Sequence, residues 1–104
     1  MVSEAVATPM PTRDVDGFLC DSAQWTPALA EALAREVGMT LTPEHWQVLT
    51  FCREDFARQG VSPGVRRVAQ LSGIDMKALY RLFPKGPGKL AAKLAGIPKP
   101  KSCL

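Results

Sequence analysis

Helix start and stop signals divide this sequence into short segments, and they restrict the fold more than any other feature. Thr42-Pro43-Glu44 is the strongest start, with a capping threonine, a proline at the first helical position and an acid near the positive dipole end. Gly60 marks a stop after about Gln59. The same signals predict four further helices, from Asp21 or Ser22 to about Val37, from Ser62-Pro63 to Ser72-Gly73, from Asp75 to before Pro84, and from Gly86-Pro87 to Gly96.

The apolar residues recur at helical spacing, so each predicted helix has a face to bury. We therefore predict a mainly α fold, a small orthogonal helical bundle, preceded by a short N-terminal β-hairpin that turns at Asp16-Gly17. At 104 residues the chain forms a single domain, 1–104, in which residues 1–12 are a flexible lead-in. Residues 97–104 form a mobile C-terminal arm, because Pro98 and Pro100 cannot continue a helix.

The cysteine and histidine content limits the chemistry open to the chain. No C-x-x-C pair occurs, and the single histidine, His45, is far in sequence from every cysteine. The spacing of zinc sites is therefore missing, and we predict neither a metal nor a cofactor. No apolar run approaches the roughly 18 residues of a membrane span, and no secretory leader is visible, which predicts a cytoplasmic protein without membrane contact.

Two of the cysteines and the histidine are interpreted as structural residues with no role in chemistry. Cys52 lies within a core helix and is interpreted as a buried structural thiol. Cys20 follows the predicted hairpin and is interpreted as half-buried filler. His45 lies in the first turn of a helix and is interpreted as a capping or core-edge residue.

Cys103 is the thiol best placed for chemistry, because it is the penultimate residue of the predicted arm. Lys99 and Lys101 favour its thiolate, and the terminal carboxylate opposes them. Pro98 and Pro100 stiffen the arm, so less entropy is lost when it docks into another protein. The alternative is an incidental terminal cysteine.

Charge is distributed unevenly along the chain. Up to residue 57 there are three basic and nine acidic residues, and from residue 58 onward there are ten basic residues and one acid, Asp75. This asymmetry indicates that the C-terminal half meets an anionic partner, either a nucleic acid or an acidic protein surface. A solvated basic face is the alternative.

The segment Val68–Phe83 reads as helix, tight turn and helix, with Gly73 at the turn and Ile74 as an apolar plug. It resembles the helix-turn-helix of TetR-type repressors, whose second helix lies in the major groove. The candidate nucleic-acid contacts are Arg66, Arg67, Lys77, Tyr80, Arg81 and Lys85. A DNA-binding regulator is therefore the alternative function.

A family resemblance extends over most of the chain, from about residue 14 to residue 104. The residues that carry it are Asp16-Gly17-Phe18-Leu19, Trp25, Leu41-Thr42-Pro43-Glu44-His45-Trp46, Ser62-Pro63 with Arg66, Leu79–Pro87 and above all Ala95–Leu104. A penultimate cysteine on a Gly-x-Pro-Lys-Pro arm is a hallmark of the TusE/DsrC family of sulfur-relay proteins, which this sequence resembles. The resemblance implies a helical fold with a small hairpin and a mobile arm, and a persulfide carried on Cys103.

The same resemblance implies the partners. TusE-like members pass sulfur from a TusBCD-like donor to a thiouridylase-like acceptor for tRNA wobble-uridine 2-thiolation, and DsrC-like members dock their arm into sulfite reductase. Docking of Lys99, Lys101, Pro98, Pro100 and Arg66 on such a partner is expected. The chain would act as a sulfurtransferase-type carrier in company, because no separate catalytic base is visible.

The sequence departs from the family pattern in two places. The second arm cysteine of DsrC aligns with Ala92, so a TusE-like chemistry with one thiol is expected. The loop at residues 72–77 is shorter than family members carry, which puts in question the partner contacts of a longer loop. A single-cysteine protein that docks on sulfite reductase without moving sulfur is a further alternative.

Overall fold

The computed structural model of the protein describes residues 11–100, which form a mainly helical body. A short 3₁₀ turn, Ser22–Gln24, precedes five helices: α1 (Pro27–Glu36), α2 (Pro43–Gln59), α3 (Val65–Leu71), α4 (Met76–Leu82) and α5 (Pro87–Ala95). The predicted mainly α fold class is confirmed. No helix in this part of the chain combines the length and apolarity needed to cross a bilayer.

The predicted N-terminal hairpin has a minimal form. Asp14 organises the turn, because its carboxylate accepts hydrogen bonds from the backbone N–H groups of Asp16 and Phe18. A single antiparallel bridge joins Arg13 to Leu19, and no longer strand forms between residues 11 and 100. The turn brings Phe18 into the core, where it is buried.

The first predicted helix is wrong in its start. Instead of one helix from Asp21 or Ser22 to Val37, the chain makes the 3₁₀ turn, breaks, and begins α1 at Pro27. Thr26 is the N-cap, with its Oγ1 accepting from the Leu29 N–H at 3.0 Å. Pro27 forces the break, because a residue before proline is disfavoured in helical conformation and proline itself has no N–H to donate.

The central helix α2 has the bounds that its signals predict, and α5 is its main packing partner. Its start is closed by a capping box: Thr42 N–H donates to His45 Nδ1 at 3.0 Å, and Thr42 Oγ1 accepts from the His45 N–H. His45 is buried, and its Nε2 lies 2.9 Å from the Leu82 carbonyl at the end of α4. The prediction of a capping, core-edge histidine is confirmed.

Helices α2 and α3 are joined by an ion pair that the sequence analysis did not foresee. Asp55 is fully buried, and both of its carboxylate oxygens accept from Arg67 at 2.8 Å. An arginine–carboxylate pair with two parallel hydrogen bonds fixes the relative orientation of the two side chains, and the second bond adds to the strength of the pair. The Arg67 hydrogen bonds lower the pKa of Asp55 most, with attraction to Arg67 and Arg58 acting in the same direction against desolvation.

We expect this pair to make stability depend on acid pH. Because the pKa of Asp55 is lowered in the folded state, the pair contributes fully above the ordinary aspartate pKa of about 3.9 and is lost as pH falls through the folded value. The free energy of unfolding, measured in urea from neutral pH down to about pH 3, should fall less steeply in Asp55→Asn than in the wild type. Glu54→Gln, a neighbouring exposed acid, should keep the wild-type slope, and an identical slope in all three proteins would contradict the assignment.

Candidate functional site

The residues predicted to act in sulfur transfer lie at the end of the chain. Cys103 and Lys101 are outside the described residues, whereas Pro98, Lys99 and Pro100 end the described part. These last residues are held against the body, because Ser62 Oγ donates to the Pro98 carbonyl and Lys99 Nζ lies 3.6 Å from an Asp16 carboxylate oxygen.

Residues 97–100, the first half of the predicted arm, thus pack on the helical body in this structure. Ile97 has no exposed surface and Pro100 is buried, so these two apolar side chains hold the segment on the helical body. The two prolines do prevent a helix here, as predicted, but an extended segment can still pack.

The end of α5 fixes where this segment starts. The last four carbonyl groups of a helix have no partner within the helix. Here the N–H groups of Gly96 and Ile97 donate to the carbonyls of Lys93 and Ala92, both at 3.1 Å. Gly96 can do so because it adopts φ +72°, the left-handed conformation that favours glycine.

The two remaining carbonyls receive side chains from distant parts of the chain. Trp25 Nε1 donates to the Leu94 carbonyl at 2.8 Å, and Arg53 donates to the Ala95 carbonyl at 2.8 Å. The Arg53 guanidinium also lies 4.4 Å from the centroid of the Trp25 ring, a cation–π contact. We call Trp25, Arg53, Gly96 and Ile97 the arm anchor, because together they determine the place and direction in which the chain leaves α5.

The arm anchor gives Gly96 two separate reasons to be glycine. A Cβ on Gly96 would lie 2.8 Å from the Cβ and Cγ of Trp25, besides the strain of its positive φ. Gly60 has a similar φ of +78° at the end of α2, but a Cβ there would meet nothing within 4 Å. The two positions therefore separate backbone strain from overlap with Trp25.

We expect Gly96→Ala to destabilise the protein more than Gly60→Ala. Gly60→Ala should cost about 1–2 kcal/mol for left-handed backbone, and Gly96→Ala about 2–5 kcal/mol, because overlap adds a further penalty of roughly 1–3 kcal/mol. Urea denaturation of the two variants measures both values. Equal losses would mean that Trp25 does not pack on Gly96 as described.

The helix-turn-helix-like corner is present in the backbone. Helices α3 and α4 are joined by Ser72–Asp75, Gly73 has φ +88°, and Ile74 is buried as the predicted plug. Asp75 caps α4, with its carboxylate accepting from the Ala78 N–H at 2.8 Å. The geometry of the turn thus follows from local signals and needs no DNA-binding role to explain it.

The candidate nucleic-acid contacts differ in whether their charge is paired within the protein. The Arg67 guanidinium is bound to Asp55, and Arg81 pairs with Glu44 at 3.4 Å. Lys77 and Tyr80 are exposed on α4, Arg66 is exposed on α3, and Lys85 lies beyond α4 toward α5. The guanidinium groups of Arg67 and Arg81, which were predicted to contact DNA phosphates, are thus paired with carboxylates of the protein itself.

The two cysteines in the described residues differ sharply. Cys52 is buried, and desolvation followed by the charge of Asp55 raises the pKa of its thiol to about 12, which confirms the structural interpretation. Cys20 is exposed, so its interpretation as half-buried filler is wrong. The hairpin explains this, because the side chains of Phe18 and Leu19 point into the core and that of Cys20 lies outside.

These environments predict different reactivity toward a thiol-alkylating reagent. At neutral pH Cys20 should react with iodoacetamide, whereas Cys52 should react only after unfolding, because its thiolate is scarce and its sulfur is covered. Peptide mass mapping of native and urea-unfolded protein distinguishes the two sites. Labelling of Cys52 in native protein as fast as Cys20 would contradict the buried environment.

Sequence reasoning missed Arg53 and Asp55, and it noted Trp25 only as part of the family resemblance. Arg53 is one of three basic residues in the acidic half of the chain, and Asp55 falls on the same helix among apolar residues. The sequence alone could have indicated both residues, since a charged side chain on the buried face of a helix requires a partner. Within residues 11–100, no three His, Cys, Asp or Glu side chains converge on a point that could hold a metal ion.

Comparisons with known proteins agree with the fold and with the resemblance. The family model described as DsrC like protein matches residues 6–104. The sulfurtransferase TusE of Escherichia coli (strain K12) is 40% identical over 98 residues, covering 88% of this chain and 90% of the relative. TusE of Salmonella typhimurium (strain LT2) is 41% identical over the same length and with the same coverage.

Solved structures give the same result. The oxidized γ-subunit of dissimilatory sulfite reductase, DsrC, from Archaeoglobus fulgidus superimposes with a TM-score of 0.80 at 36% identity, covering 90% of this chain and 92% of that one. DsrC of Allochromatium vinosum gives 0.78 at 34% identity, with 88% of both chains covered. The predicted bundle is thus confirmed, and none of these four proteins is described as a DNA-binding protein.

Proposed function

The chain belongs to the DsrC-like family, and on that premise we propose that it is a sulfur-relay protein that carries persulfide sulfur on Cys103. The observation that carries the proposal is the arm anchor together with the packed segment at residues 97–100. Four residues of the sequence follow Pro100, the last described residue, and Cys103 is the third of them. At about 3.3–3.6 Å per residue, that thiol can lie no more than roughly 11 Å along the chain from Pro100.

The other two thiols support this assignment by their environments. Cys52 is buried with a raised pKa, so it cannot meet a partner while the protein is folded. Cys20 is exposed, but it lies in the N-terminal hairpin region, where the backbone is held by a hydrogen bond from its N–H to the Thr12 carbonyl. A thiol on a short terminal segment is better suited to enter another protein's site than one on a fixed turn.

The transfer needs no oxidant. The Cys103 thiolate attacks the outer sulfur of a partner's persulfide, a new S–S bond forms, and the partner's S–S bond breaks. The partner's cysteine leaves as a thiolate with the electron pair of that bond, and Cys103 holds the persulfide. The reverse arrangement passes the outer sulfur to an acceptor, so Cys103 is regenerated as a thiolate.

A single-thiol cycle is also supported by Ala92. The position that aligns with the second arm cysteine of DsrC lies inside α5, and the methyl group of Ala92 is buried in the core. A disulfide or trisulfide within one arm therefore has no second sulfur at this position. The protein should hand sulfur on rather than form a ring with its own chain.

The partners are sulfur-donor and sulfur-acceptor proteins. The relatives at about 40% identity are named sulfurtransferase TusE, which favours a TusBCD-like donor and a thiouridylase-like acceptor in tRNA wobble-uridine thiolation. Among the structural relatives, DsrC of Archaeoglobus fulgidus is a γ-subunit of dissimilatory sulfite reductase at 36% identity, and docking on sulfite reductase is the second candidate. Lys99 and Lys101, beside Cys103 in sequence, would meet acidic groups of either partner.

Loading of the thiol tests the proposal directly. In a Cys20→Ser background, which removes the other exposed thiol, brief treatment with inorganic polysulfide should add one sulfur, about 32 Da, to the intact mass. The adduct should disappear when Cys103→Ser is added, because Cys52 is covered. Release of the sulfur to cyanide as thiocyanate distinguishes a persulfide from an oxidised thiol of the same mass.

The outcome that contradicts the proposal is equally specific. An adduct that persists in the Cys20→Ser, Cys103→Ser double variant would move the carrier role away from Cys103. A protein that loads but cannot pass its sulfur to any thiol acceptor would be a persulfide-modified protein and not a relay.

A further inference from the structure

A cleft of about 460 Å³ lies beside the packed C-terminal segment, between the hairpin, the end of α1 and α5. Its rim carries four lysines and its floor is apolar; the main lining residues are Lys85, Lys89, Lys93, Lys99, Phe18 and Leu90. We call it the lysine cleft. The family resemblance gives Lys99 a docking role, but neither it nor the sulfur chemistry gives one to Lys85, Lys89 or Lys93.

Lys85 and Lys89 lie where α5 does not favour a cation. Lys89 and Lys93 are spaced four residues apart on α5, and like charges at this spacing repel on a helix surface. Lys85 precedes α5 and Lys89 lies in its first turn, where the helix dipole disfavours cations. Lys93, in the last turn, suits the helix dipole, but Lys85 and Lys89 do not stabilise α5. An anion that fills the cleft beside them would relieve the repulsion.

Only part of this charge is neutralised within the protein. The carboxylates near the rim are those of Asp16, which pairs with Lys99, and Glu36, which attracts Lys93 but is bound to Arg13 at 2.8 Å. Lys93 also lies 5.6 Å from the Phe18 ring centroid. The ion pairs among residues 11–100 do not involve Lys85 or Lys89, so the end of the cleft near the start of α5 keeps a net positive charge.

The floor favours a protein segment over a nucleic acid as the occupant. Phe18 and Leu90 form a buried apolar base, and Val37, 40% exposed, stands at the edge with Met39. An apolar side chain can cover exposed Val37 and half-buried Met39 while carboxylates on either side meet the lysines. Bases have no exposed aromatic ring to stack on, since Phe18 is 2% exposed, and the Asp16 carboxylate would repel phosphates.

The position of the cleft connects it to sulfur transfer. Lys99 belongs both to the cleft and to the packed segment, and Cys103 follows only four residues later. A partner that binds here therefore has its surface within reach of the thiol, at most roughly 14 Å of extended chain from Lys99.

We propose that the lysine cleft is the docking site for an acidic segment, with an apolar side chain, of the protein that exchanges sulfur with Cys103. This rests on the proposed relay function and specifies the chemistry of the partner. Carboxylates of the segment pair with Lys85 and Lys89, and its apolar side chain packs on Val37 and Met39. Docking holds the partner's persulfide close to Cys103 before transfer begins.

A defined peptide tests the chemistry of the cleft. The probe is a fluorescein-labelled Glu-Leu-Glu-Glu-Leu-Glu peptide, with the Gln-Leu-Gln-Gln-Leu-Gln peptide as its neutral counterpart, and the readout is fluorescence anisotropy with full-length protein. We expect binding of the acidic peptide only, weakened by salt. Lys85→Glu with Lys89→Glu should reduce the affinity about tenfold or more, because attraction becomes repulsion.

A matched control removes the effect of net charge. Lys77→Glu with Arg81→Glu changes the net charge by the same amount on exposed positions of α4, and it should leave the affinity within about twofold. Equal loss in both double variants, or no binding by the wild type at low salt, would overturn the proposal. A single-stranded RNA 12-mer that competes more strongly than the peptide and depends on Lys85 and Lys89 would overturn it in favour of a nucleic acid.

Polysulfide loading separates this proposal from the relay function. Because inorganic polysulfide needs no docking site, the Lys85→Glu, Lys89→Glu variant should load Cys103 at the wild-type rate while it fails to bind the peptide. That pair of results supports the docking site. Failure of the wild type to load would instead remove the relay function, whatever the peptide result.

Discussion

The four carbonyl groups at the end of α5 accept hydrogen bonds from two backbone N–H groups and from Trp25 and Arg53. Trp25 precedes α1, Arg53 lies on α2, and α5 is the main packing partner of α2, so these bonds join three parts of the body at one point. Unsatisfied carbonyls at a buried helix end would be costly. The same bonds therefore complete the helix and determine where the terminal segment begins, which makes this end of α5 both a structural and a functional boundary.

A fixed starting point matters for a carrier with a short reach. If the chain were free from residue 97, Cys103 would sample a larger volume, and more entropy would be lost when the thiol entered a partner's site. Packing of Ile97 and Pro100 removes that cost in advance for half of the predicted arm. In the proposed relay, the partner's contacts lie on the rigid body, and the transfer takes place at Cys103.

The sequence was most informative where structure depends on neighbouring residues. The capping signals at Thr42, Asp75 and Gly96 predicted helix ends that the structure has, because each acts within one helical turn. The break before α1 carries the same Thr-Pro signal, at Thr26-Pro27, and was missed because the preceding Asp21 offers a valid cap for the 3₁₀ turn. The anchor of the arm could not be predicted this way. Its side chains bond to carbonyls 69 and 42 residues away, and such pairs follow from tertiary packing and not from local pattern.

The uneven distribution of charge along the chain can be interpreted when arginine and lysine residues are considered separately. Arginines at positions 13, 53, 58, 67 and 81 bind carboxylates or backbone carbonyls of the protein itself, as expected for a planar group with several donors. The lysines of the C-terminal half behave differently: Lys85 and Lys89 stay exposed at the cleft, and Lys99 makes only a 3.6 Å contact with Asp16. Guanidinium groups thus hold the body together, while ammonium groups, which exchange partners easily, are concentrated beside the segment that leads to Cys103. The net charge of the C-terminal half is therefore a mixture of structural cations and available ones, and the proposed docking of an acidic partner rests on the available ones.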